Sequence, residues 1–220
     1  MFYNKMNGKL FFVALILVIA HSCSNNSDKK ETSDIKKNSV KKDTVVKTAV
    51  EPEERITPTK APIINIADTV SVNQLVLCIK DSAANSDRIA IKLAEIYGVK
   101  LAAIVKKNKL KVTGPPMAWY KSQKAPFFFE AGLPVDKKPA KLTAGVTIKQ
   151  IGTDSVVVAH FYGPYELTSQ GYTALQDWVK DHKKKIIHPP YEIYVSDPMD
   201  KNGKLIDPYK VQTDIVFTWR

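Results

Sequence analysis

The spacing of apolar residues in the first half of the chain changes several times, and each spacing predicts one element. The nearly continuous apolar run at 74–79 is typical of a buried β-strand. Polar Ser86 and Asp87 then begin a segment in which apolar residues recur at helical spacing to about residue 107. After two prolines, residues 117–122 and 125–131 predict two strands. The residues expected on the apolar face of the helix are Ile89, Leu93, Ile96, Val99 and Ala103.

The second half of the chain repeats this order with one additional strand at its start. Residues 144–150 and 155–162 predict two strands, a helix follows, and residues 191–196 and 211–219 predict the last two strands. The apolar face of this helix carries Tyr172, Leu175, Trp178 and Val179. Together the elements predict an α+β fold, in which duplicated strand–helix–strand–strand units form an antiparallel sheet with its helices on one face.

Two segments that lie 74 positions apart are similar without a gap. Residues 114–122 and 188–196 share both prolines, a tyrosine and a serine. A repeat of this length within one small domain indicates a duplicated supersecondary unit. Two such units would leave a cleft at their junction, where ligands commonly bind. The copies differ at one informative place, because Ala118 in the first stands where Glu192 stands in the second.

The N-terminal 22 residues have the pattern of a lipoprotein signal peptide. Lys5 and Lys9 precede an apolar run at 10–20, which is too short to span a bilayer comfortably as a helix. The residues before Cys23 resemble the lipobox of bacterial lipoproteins, in which the cysteine is acylated and becomes the mature N-terminus. We predict a signal peptide at 1–22 and a lipid-modified Cys23, with an uncleaved membrane anchor as the alternative. The folded part is then expected outside the cytoplasm, as a membrane-anchored lipoprotein of the bacterial cell envelope.

The segment 23–66 is predicted to be a disordered tether. It is rich in serine, asparagine, aspartate and lysine and contains no aromatic residue, so it cannot bury enough apolar surface to offset chain entropy. The folded domain is predicted at 67–220, with a first repeat at 67–138 and a second at 139–220. Cys78 is the single cysteine in this domain, and its apolar neighbours indicate a buried, unreactive thiol.

The formal net charge of the chain is +11, and lysines gather in two runs. The runs, at 106–111 and 183–185, lie at equivalent places in the two repeats. They are either a surface attracted to anionic lipid and envelope polymers or solvated helix ends whose charge complements the helix dipole. No DNA-binding motif is recognisable, so nucleic acid is not expected as a partner.

Several motifs occur in the order that a known family shows. They are residues 116–122, 129–135, 159–166 and 190–198, together with the helix that carries Tyr172, Leu175 and Trp178. With these motifs, residues 70–220 resemble the GyrI-like small-molecule-binding domain, also called the bacterial transcription activator effector-binding domain. The resemblance implies a duplicated fold whose cleft holds bulky aromatic or cationic compounds around an acidic residue. In some relatives it implies hydrolysis of strained electrophilic rings instead. The DNA-binding region that usually accompanies the domain is not recognisable, so a transcription-factor role is not expected.

The resemblance assigns the acidic residue to Glu192. Strand alternation places Glu192 and Tyr194 on one face, and the repeat places Tyr120 of the first half on the same face. A poorly solvated Glu192 should have a raised pKa, which suits an anchor for an organic cation as well as a general acid or base. Further candidate walls of the pocket are Trp119, Phe129, Tyr162 and Phe217.

The sequence thus predicts an envelope-anchored domain that binds a small hydrophobic or cationic molecule in a cleft between its repeats. One alternative is a hydrolase of the same fold, acting on reactive electrophilic molecules with Glu192 as general acid or base. A second alternative is a structural adaptor of the cell envelope whose cleft is vestigial. No metal or cofactor is expected, because His160 and His188 show no metal-ligand spacing.

Overall fold

The computed structural model of the protein describes residues 60–122 and 124–220. The predicted signal peptide, Cys23 and most of the predicted tether lie outside the described residues. The described part contains one eight-stranded antiparallel sheet and two helices, so its class is α+β. Its strands are β1 Ile63–Val70, β2 Gln74–Ala83, β3 Met117–Tyr120, β4 Phe127–Val135, β5 Val146–Ile151, β6 Ser155–Tyr162, β7 Tyr191–Tyr194 and β8 Gln212–Thr218.

Strand β1 was not predicted, and it begins inside the segment expected to be tether. It pairs with β6 from Ile63 opposite Tyr162 to Val70 opposite Ser155. The described fold therefore starts at least four residues before the predicted domain boundary at 67. The sequence signal is weak because β1 is an edge strand that is mostly exposed, so pairing with β6 rather than burial of apolar side chains defines it.

The first helix begins and ends where it was predicted, but the positions that it buries change after Ile96. It runs through α1 (Ser86–Glu95), a π-helical turn (Ile96–Leu101) and α2 (Ala102–Lys107), and the Asn85 side chain caps it by accepting a bond from the Arg88 amide. A π-turn contains one more residue than an α-turn. The buried positions after Ile96 are consequently Leu101 and Ile104, whereas Val99 is 64 % exposed and Ala103 is exposed. The prediction was wrong for these last two residues.

The second helix, α3 (Thr168–Asp181), packs closely against β8. Its buried face contains the predicted Tyr172, Leu175 and Val179. Gly171 permits the close approach, because a Cβ atom there would lie 2.6 Å from the Ile215 Cδ1 atom. A short 3-10 turn (Tyr165–Leu167) precedes the helix, and another (Pro208–Lys210) precedes β8. No helix among residues 60–122 and 124–220 is both long and apolar enough to cross a bilayer.

The sheet curls strongly, as its connections require. The strand order is β1-β6-β8-β7-β3-β4-β2-β5, so residues 71–73 and 152–154 each connect strands that are six places apart. In a flat sheet six spacings would be about 29 Å, whereas four Cα–Cα steps reach roughly 14 Å at most. The two edges of the sheet must therefore approach each other. Ser71 ties the two connections together, since its hydroxyl donates to the Gly152 carbonyl at 2.7 Å.

The two faces of the curled sheet bury different cores. The outer face carries the helices and includes Leu77, Phe129, Ile215 and Phe217 in its core. The inner, concave face carries no helix and buries alternate residues of the same strands, namely Val76, Cys78, Met117, Trp119, Ile151, Val156, Val158, Tyr191 and Val216. Burial raises the pKa of the Cys78 thiol to about 12, with a smaller contribution from the charge of Glu130. Cys78 is thus a buried thiol that stays protonated at neutral pH.

Candidate functional site

The centre of the sheet is formed by the two short strands β3 and β7, which pair antiparallel. Ala118 lies directly opposite Glu192 in this pair. Both side chains project from the outer face, in the space between the two helices. Ala118 is fully buried and Glu192 is 1 % exposed, so the carboxyl group sits in the interior of the protein.

Glu192 accepts hydrogen bonds from three phenols that belong to three different elements. The Tyr172 hydroxyl from α3 donates to Oε1 at 2.9 Å. The Tyr165 hydroxyl from the 3-10 turn and the Tyr194 hydroxyl from β7 donate to Oε2 at 2.7 and 3.0 Å. Two carboxylate oxygens can accept about four hydrogen bonds, so this arrangement nearly saturates an ionised Glu192.

Tyr120 from β3 completes a ring of hydroxyl groups. Its hydroxyl oxygen lies 2.9 Å from that of Tyr194 and 3.1 Å from that of Tyr165. We refer to these four residues, Tyr120, Tyr165, Tyr172 and Tyr194, as the tyrosine cage. The prediction that Glu192, Tyr120 and Tyr194 share one face is met in the structure, which brings their polar groups into direct contact.

The ring can satisfy either protonation state of the carboxyl group without moving a heavy atom. When Glu192 is ionised, Tyr165 and Tyr194 both donate to it, and Tyr120 donates to one of them. When Glu192 is protonated at Oε2, its own hydroxyl donates to Tyr194. Tyr194 then donates to Tyr120 and Tyr120 to Tyr165, while Tyr165 continues to donate to Oε2. Every hydroxyl then donates once and accepts once.

The electrostatic surroundings of Glu192 disfavour its charge. Burial raises the pKa of Glu192, and the three phenol hydrogen bonds oppose that rise. No lysine, arginine or histidine among the described residues forms an ion pair with it. Burial, followed by the charge of Glu192, also raises the pKa values of Tyr165 and Tyr194, so both phenols remain donors at neutral pH.

Tyr165 separates the carboxyl group from solvent. Its hydroxyl bonds Glu192, although 40 % of the residue is exposed, so one end of its side chain points inward and the rest faces water. On the other side of the cage, Tyr97 from the π-helical turn packs against Tyr194 with ring centroids 6.3 Å apart. The Tyr97 hydroxyl donates to the Met117 carbonyl at 2.7 Å, which fixes it at the start of β3.

Sequence reasoning missed Tyr97, Tyr165 and Tyr172 as site residues. Tyr172 was assigned to the apolar face of its helix, where it does lie, but its hydroxyl reaches Glu192 from there. Tyr165 directly follows a Gly-Pro turn, which brings the chain back over the sheet, and that position was the available signal. Tyr97 gave no signal, because the π-turn changes the direction in which residues 96–101 project.

The predicted pocket walls divide between the two faces of the sheet. Phe129 packs against Tyr120 with centroids 5.8 Å apart, and Phe217 packs against Tyr172 at 5.9 Å, so both support the cage from behind. Trp119 and Tyr162 do not belong with them, because strand alternation turns both toward the concave face. The Tyr162 hydroxyl there donates to Gln212 at 2.9 Å.

The expected open cleft at Glu192 is filled by the tyrosine side chains. Because Glu192 is 1 % exposed, a ligand could reach its carboxyl group only after at least one tyrosine had moved. His160, which was not expected to bind a metal, bonds Asp214 on the concave face, with 2.8 Å between Nδ1 and Oδ1. Among the described residues no cluster of histidine, cysteine and acidic side chains could hold a metal ion.

Comparison with solved structures defines the class of fold. The C-terminal domain of EcmrR superposes with a TM-score of 0.60 and 19 % identity over 72 % of this chain and 98 % of that domain. EcmrR in a DNA complex gives 0.59 and 18 % over 71 % of this chain, which matches 57 % of the EcmrR chain. An uncharacterized conserved protein from Listeria innocua gives 0.50 and 14 % over 73 % of this chain and 92 % of that protein.

No protein-family model and no curated protein matches the sequence. At identities below 20 % these similarities establish the fold alone. The function has to be argued from the residues of the site. The described residues therefore have the fold of the C-terminal domain of EcmrR. In the described residues the candidate site on the outer face is the buried Glu192 with its tyrosine cage.

Proposed function

We propose that this domain binds a small hydrophobic organic cation, with Glu192 as its anchor. The observation that carries the proposal is a fully buried carboxyl group whose hydrogen-bond partners are all phenols. A buried carboxylate without a counter-charge is costly in free energy. A ligand cation would supply the missing charge, and the EcmrR-type fold is one that includes effector-binding domains.

The cage residues suit the other half of such a ligand. The ring centroids of Tyr97 and Tyr165 lie 6.3 and 6.4 Å from that of Tyr194. Aromatic faces attract cations by about 0.5–2 kcal/mol each. Binding a cation favours the ionised form of Glu192. Since the pKa of free Glu192 is raised, affinity is expected to increase as the pH rises through that pKa.

Entry of the ligand would require movement of Tyr165. This residue is the exposed member of the cage, and it stands on a 3-10 turn of only three residues. Moving it breaks its contacts with Glu192 and Tyr120 and opens the outer side of the carboxyl group. A cation that binds in place of the Tyr165 ring interacts with Glu192 itself. This interaction offsets the hydrogen bonds that are broken when Tyr165 moves.

The proposal extends to the parts of the chain that lie outside the described residues. We place the domain in the bacterial cell envelope, where a signal peptide at 1–22, acylated Cys23 and a tether would hold it at a membrane. We also propose that the two halves of the fold arose by duplication. Two pairs of residues that lie 74 positions apart support this. Tyr120 and Tyr194 hydrogen-bond to each other, and Lys109 and Lys183 both have positive φ angles.

Hydrolysis is the second candidate function, favoured by the protonatable carboxyl group amid hydroxyls. With its raised pKa, Glu192 could give a proton to a strained electrophilic ring or take one from water. The filled cleft favours the third candidate, an envelope adaptor without a ligand. Turnover of a bound compound would support hydrolysis over simple binding. Absence of any ligand would support the adaptor over both.

The test is calorimetric titration with tetraphenylphosphonium, with neutral triphenylphosphine oxide as the matched uncharged compound. The cation should bind and the neutral compound should bind at least about tenfold more weakly, a difference of about 1.4 kcal/mol. Glu192→Gln should abolish that preference, and Asp177→Asn, on the exposed face of α3, should retain it. Equal binding of the cation to wild type and Glu192→Gln would show that Glu192 is not the anchor.

Incubation of the protein with a panel of strained electrophiles tests the second candidate. Consumption of a compound that is lost in Glu192→Gln would replace the binding proposal with the hydrolase. Absence of binding and of turnover, together with retention on envelope fractions that requires the lysine runs at 106–111 and 183–185, would favour the adaptor.

A further inference from the structure

A second concavity opens on the inner face of the sheet, on the side opposite Glu192. Its volume is about 510 Å³. Its lining comes from β2, β3, β4, β5, β7 and β8 and from the adjoining segments, which include the connection at 152–154. Trp119 and Tyr191 form its floor, with ring centroids 5.4 Å apart and planes inclined by 33°. Phe128, which is 51 % exposed, stands in its wall. Its floor faces away from Glu192, because Trp119 and Tyr191 alternate with Ala118 and Glu192 along the same strands. Tyr120 is the one member of the tyrosine cage that also contributes to its lining.

The floor presents two polar groups that have no partner within the described protein. Trp119 is 7 % and Tyr191 is 6 % exposed, and neither the indole N–H nor the phenol hydroxyl makes a hydrogen bond. Both groups nevertheless keep contact with solvent, since Trp219 carries the single fully buried polar side-chain atom without a partner among the described residues. A donor that reaches a concavity from a nearly buried ring can bond what the concavity holds. These two open donors therefore mark the floor as a place for a ligand or water.

The charges around this floor favour an anion. Lys149 lies over the Trp119 ring, 4.0 Å from its centroid, and bonds Glu130 at 2.6 Å, so this pair is neutral. Lys80 and Lys121 also line the concavity, and neither forms an ion pair with any described residue.

The carboxylates of the lining do not cancel these two lysines. Asp81 is bonded to Lys92 at 3.2 Å. Asp154, in the connection at the rim, is the remaining acidic residue of the lining without an ion pair among the described residues. Among its charged groups without an ion pair, the lining of the concavity thus has two ammonium groups and one carboxylate.

We propose that this concavity binds an organic anion with a planar aromatic body. The body packs against Phe128 and the Trp119–Tyr191 floor, and the anionic group reaches the ammonium groups of Lys80 and Lys121. An oxygen-bearing anion such as a carboxylate or a phosphate monoester also accepts a hydrogen bond from the Tyr191 hydroxyl, so this donor gains a partner. This site differs from the one proposed at Glu192 in its face of the sheet and in the sign of the ligand's charge, and it does not depend on that proposal.

The experiment is a titration of the protein with 1-naphthyl phosphate, followed by calorimetry and by tryptophan fluorescence, with neutral 1-naphthol as the uncharged counterpart. The double variant Lys80→Gln/Lys121→Gln should weaken binding of the phosphate by about tenfold or more, because two charge-assisted contacts are lost. Lys201→Gln/Lys204→Gln removes the same charge from exposed positions outside the lining, and it should change affinity by less than about twofold.

Three more measurements make the assignment specific. Tyr191→Phe, which removes one oxygen atom, should weaken binding of 1-naphthyl phosphate by about fivefold. Glu192→Gln should leave that binding unchanged, and tetraphenylphosphonium should not compete. The proposal is overturned by equal binding of 1-naphthol, by equal loss in both lysine double variants, by competition from the cation, or by no binding at millimolar concentration.

Discussion

Replacing Glu192 by glutamine should change how the stability of the protein depends on pH. The substitution keeps the shape of the side chain and removes its ability to ionise. Burial raises the pKa of Glu192 in the folded state above its ordinary value of 4.5. Between these two pKa values the folded protein binds more protons at this site than the unfolded chain does. The free energy of unfolding of the wild type therefore falls as the pH rises through this interval.

The magnitude follows from the linkage between protonation and folding. Below pH 4.5 both states are protonated at residue 192, and the site contributes no pH dependence. Above it, the wild type loses about 1.4 kcal/mol of stability for each pH unit until the folded pKa is reached. The glutamine variant lacks this loss. It has a constant deficit of about 1 kcal/mol instead, because the amide NH2 group replaces one of the two oxygens that accept hydrogen bonds from the phenols.

The variant should accordingly be less stable than wild type near pH 4.5 and should gain on it as the pH rises, until the folded pKa of Glu192 is reached. Urea unfolding at half-unit pH intervals measures this difference, and for a domain of this size 1 kcal/mol corresponds to roughly 2–4 °C in Tm. The control is Asp177→Asn, which removes a carboxylate from the exposed face of α3. A difference between wild type and Glu192→Gln that stays constant within about 0.5 kcal/mol from pH 4.5 to 8 would refute the reasoning.

Three further predictions follow from the packing and the proposed site. Leu101→Ala should destabilise the protein by about 2–5 kcal/mol and Val99→Ala by less than about 0.5 kcal/mol, as measured by urea unfolding, because the π-turn buries Leu101 and exposes Val99; the reverse order would mean that the helix is regular. Gly171→Ala should lower Tm by overpacking against β8, whereas Gly98→Ala, which meets no atom within 4 Å, should raise it slightly; a gain in both would show that α3 can move away from the sheet. Affinity for tetraphenylphosphonium should increase with pH in wild type and be flat in Glu192→Gln, and calorimetry in buffers of different ionisation enthalpy should detect proton release on binding; a flat wild-type profile would contradict anchoring by a carboxyl group that ionises when the cation binds.

The sequence by itself determined the class of fold and most of its elements. Seven of the eight strands and both helices follow from runs and periodicities of apolar residues, since burial of one face imposes those patterns. It also determined that Glu192, Tyr194 and Tyr120 share a face, because alternation along a strand is a local property of the backbone.

Only the tertiary structure decided what surrounds Glu192. Tyr172 comes from the buried face of α3 and Tyr165 from a three-residue turn, so their meeting at one carboxyl group depends on how helix and sheet pack. The shift of the apolar stripe at the π-turn has the same origin, because packing of the first helix on the sheet selects Leu101 over Val99. Strand β1 belongs here too, since its partner β6 lies about ninety residues away in the chain.

The curl of the sheet is the clearest case of a property that no local pattern contains. Two three-residue connections between strands six places apart force the edges together, and this gives the sheet a concave face with its own core. Trp119 was predicted beside Glu192 and instead forms the floor of a different concavity. Alternation along a strand determines which side chains share a face of the sheet. What each face packs against depends on the curvature of the whole sheet.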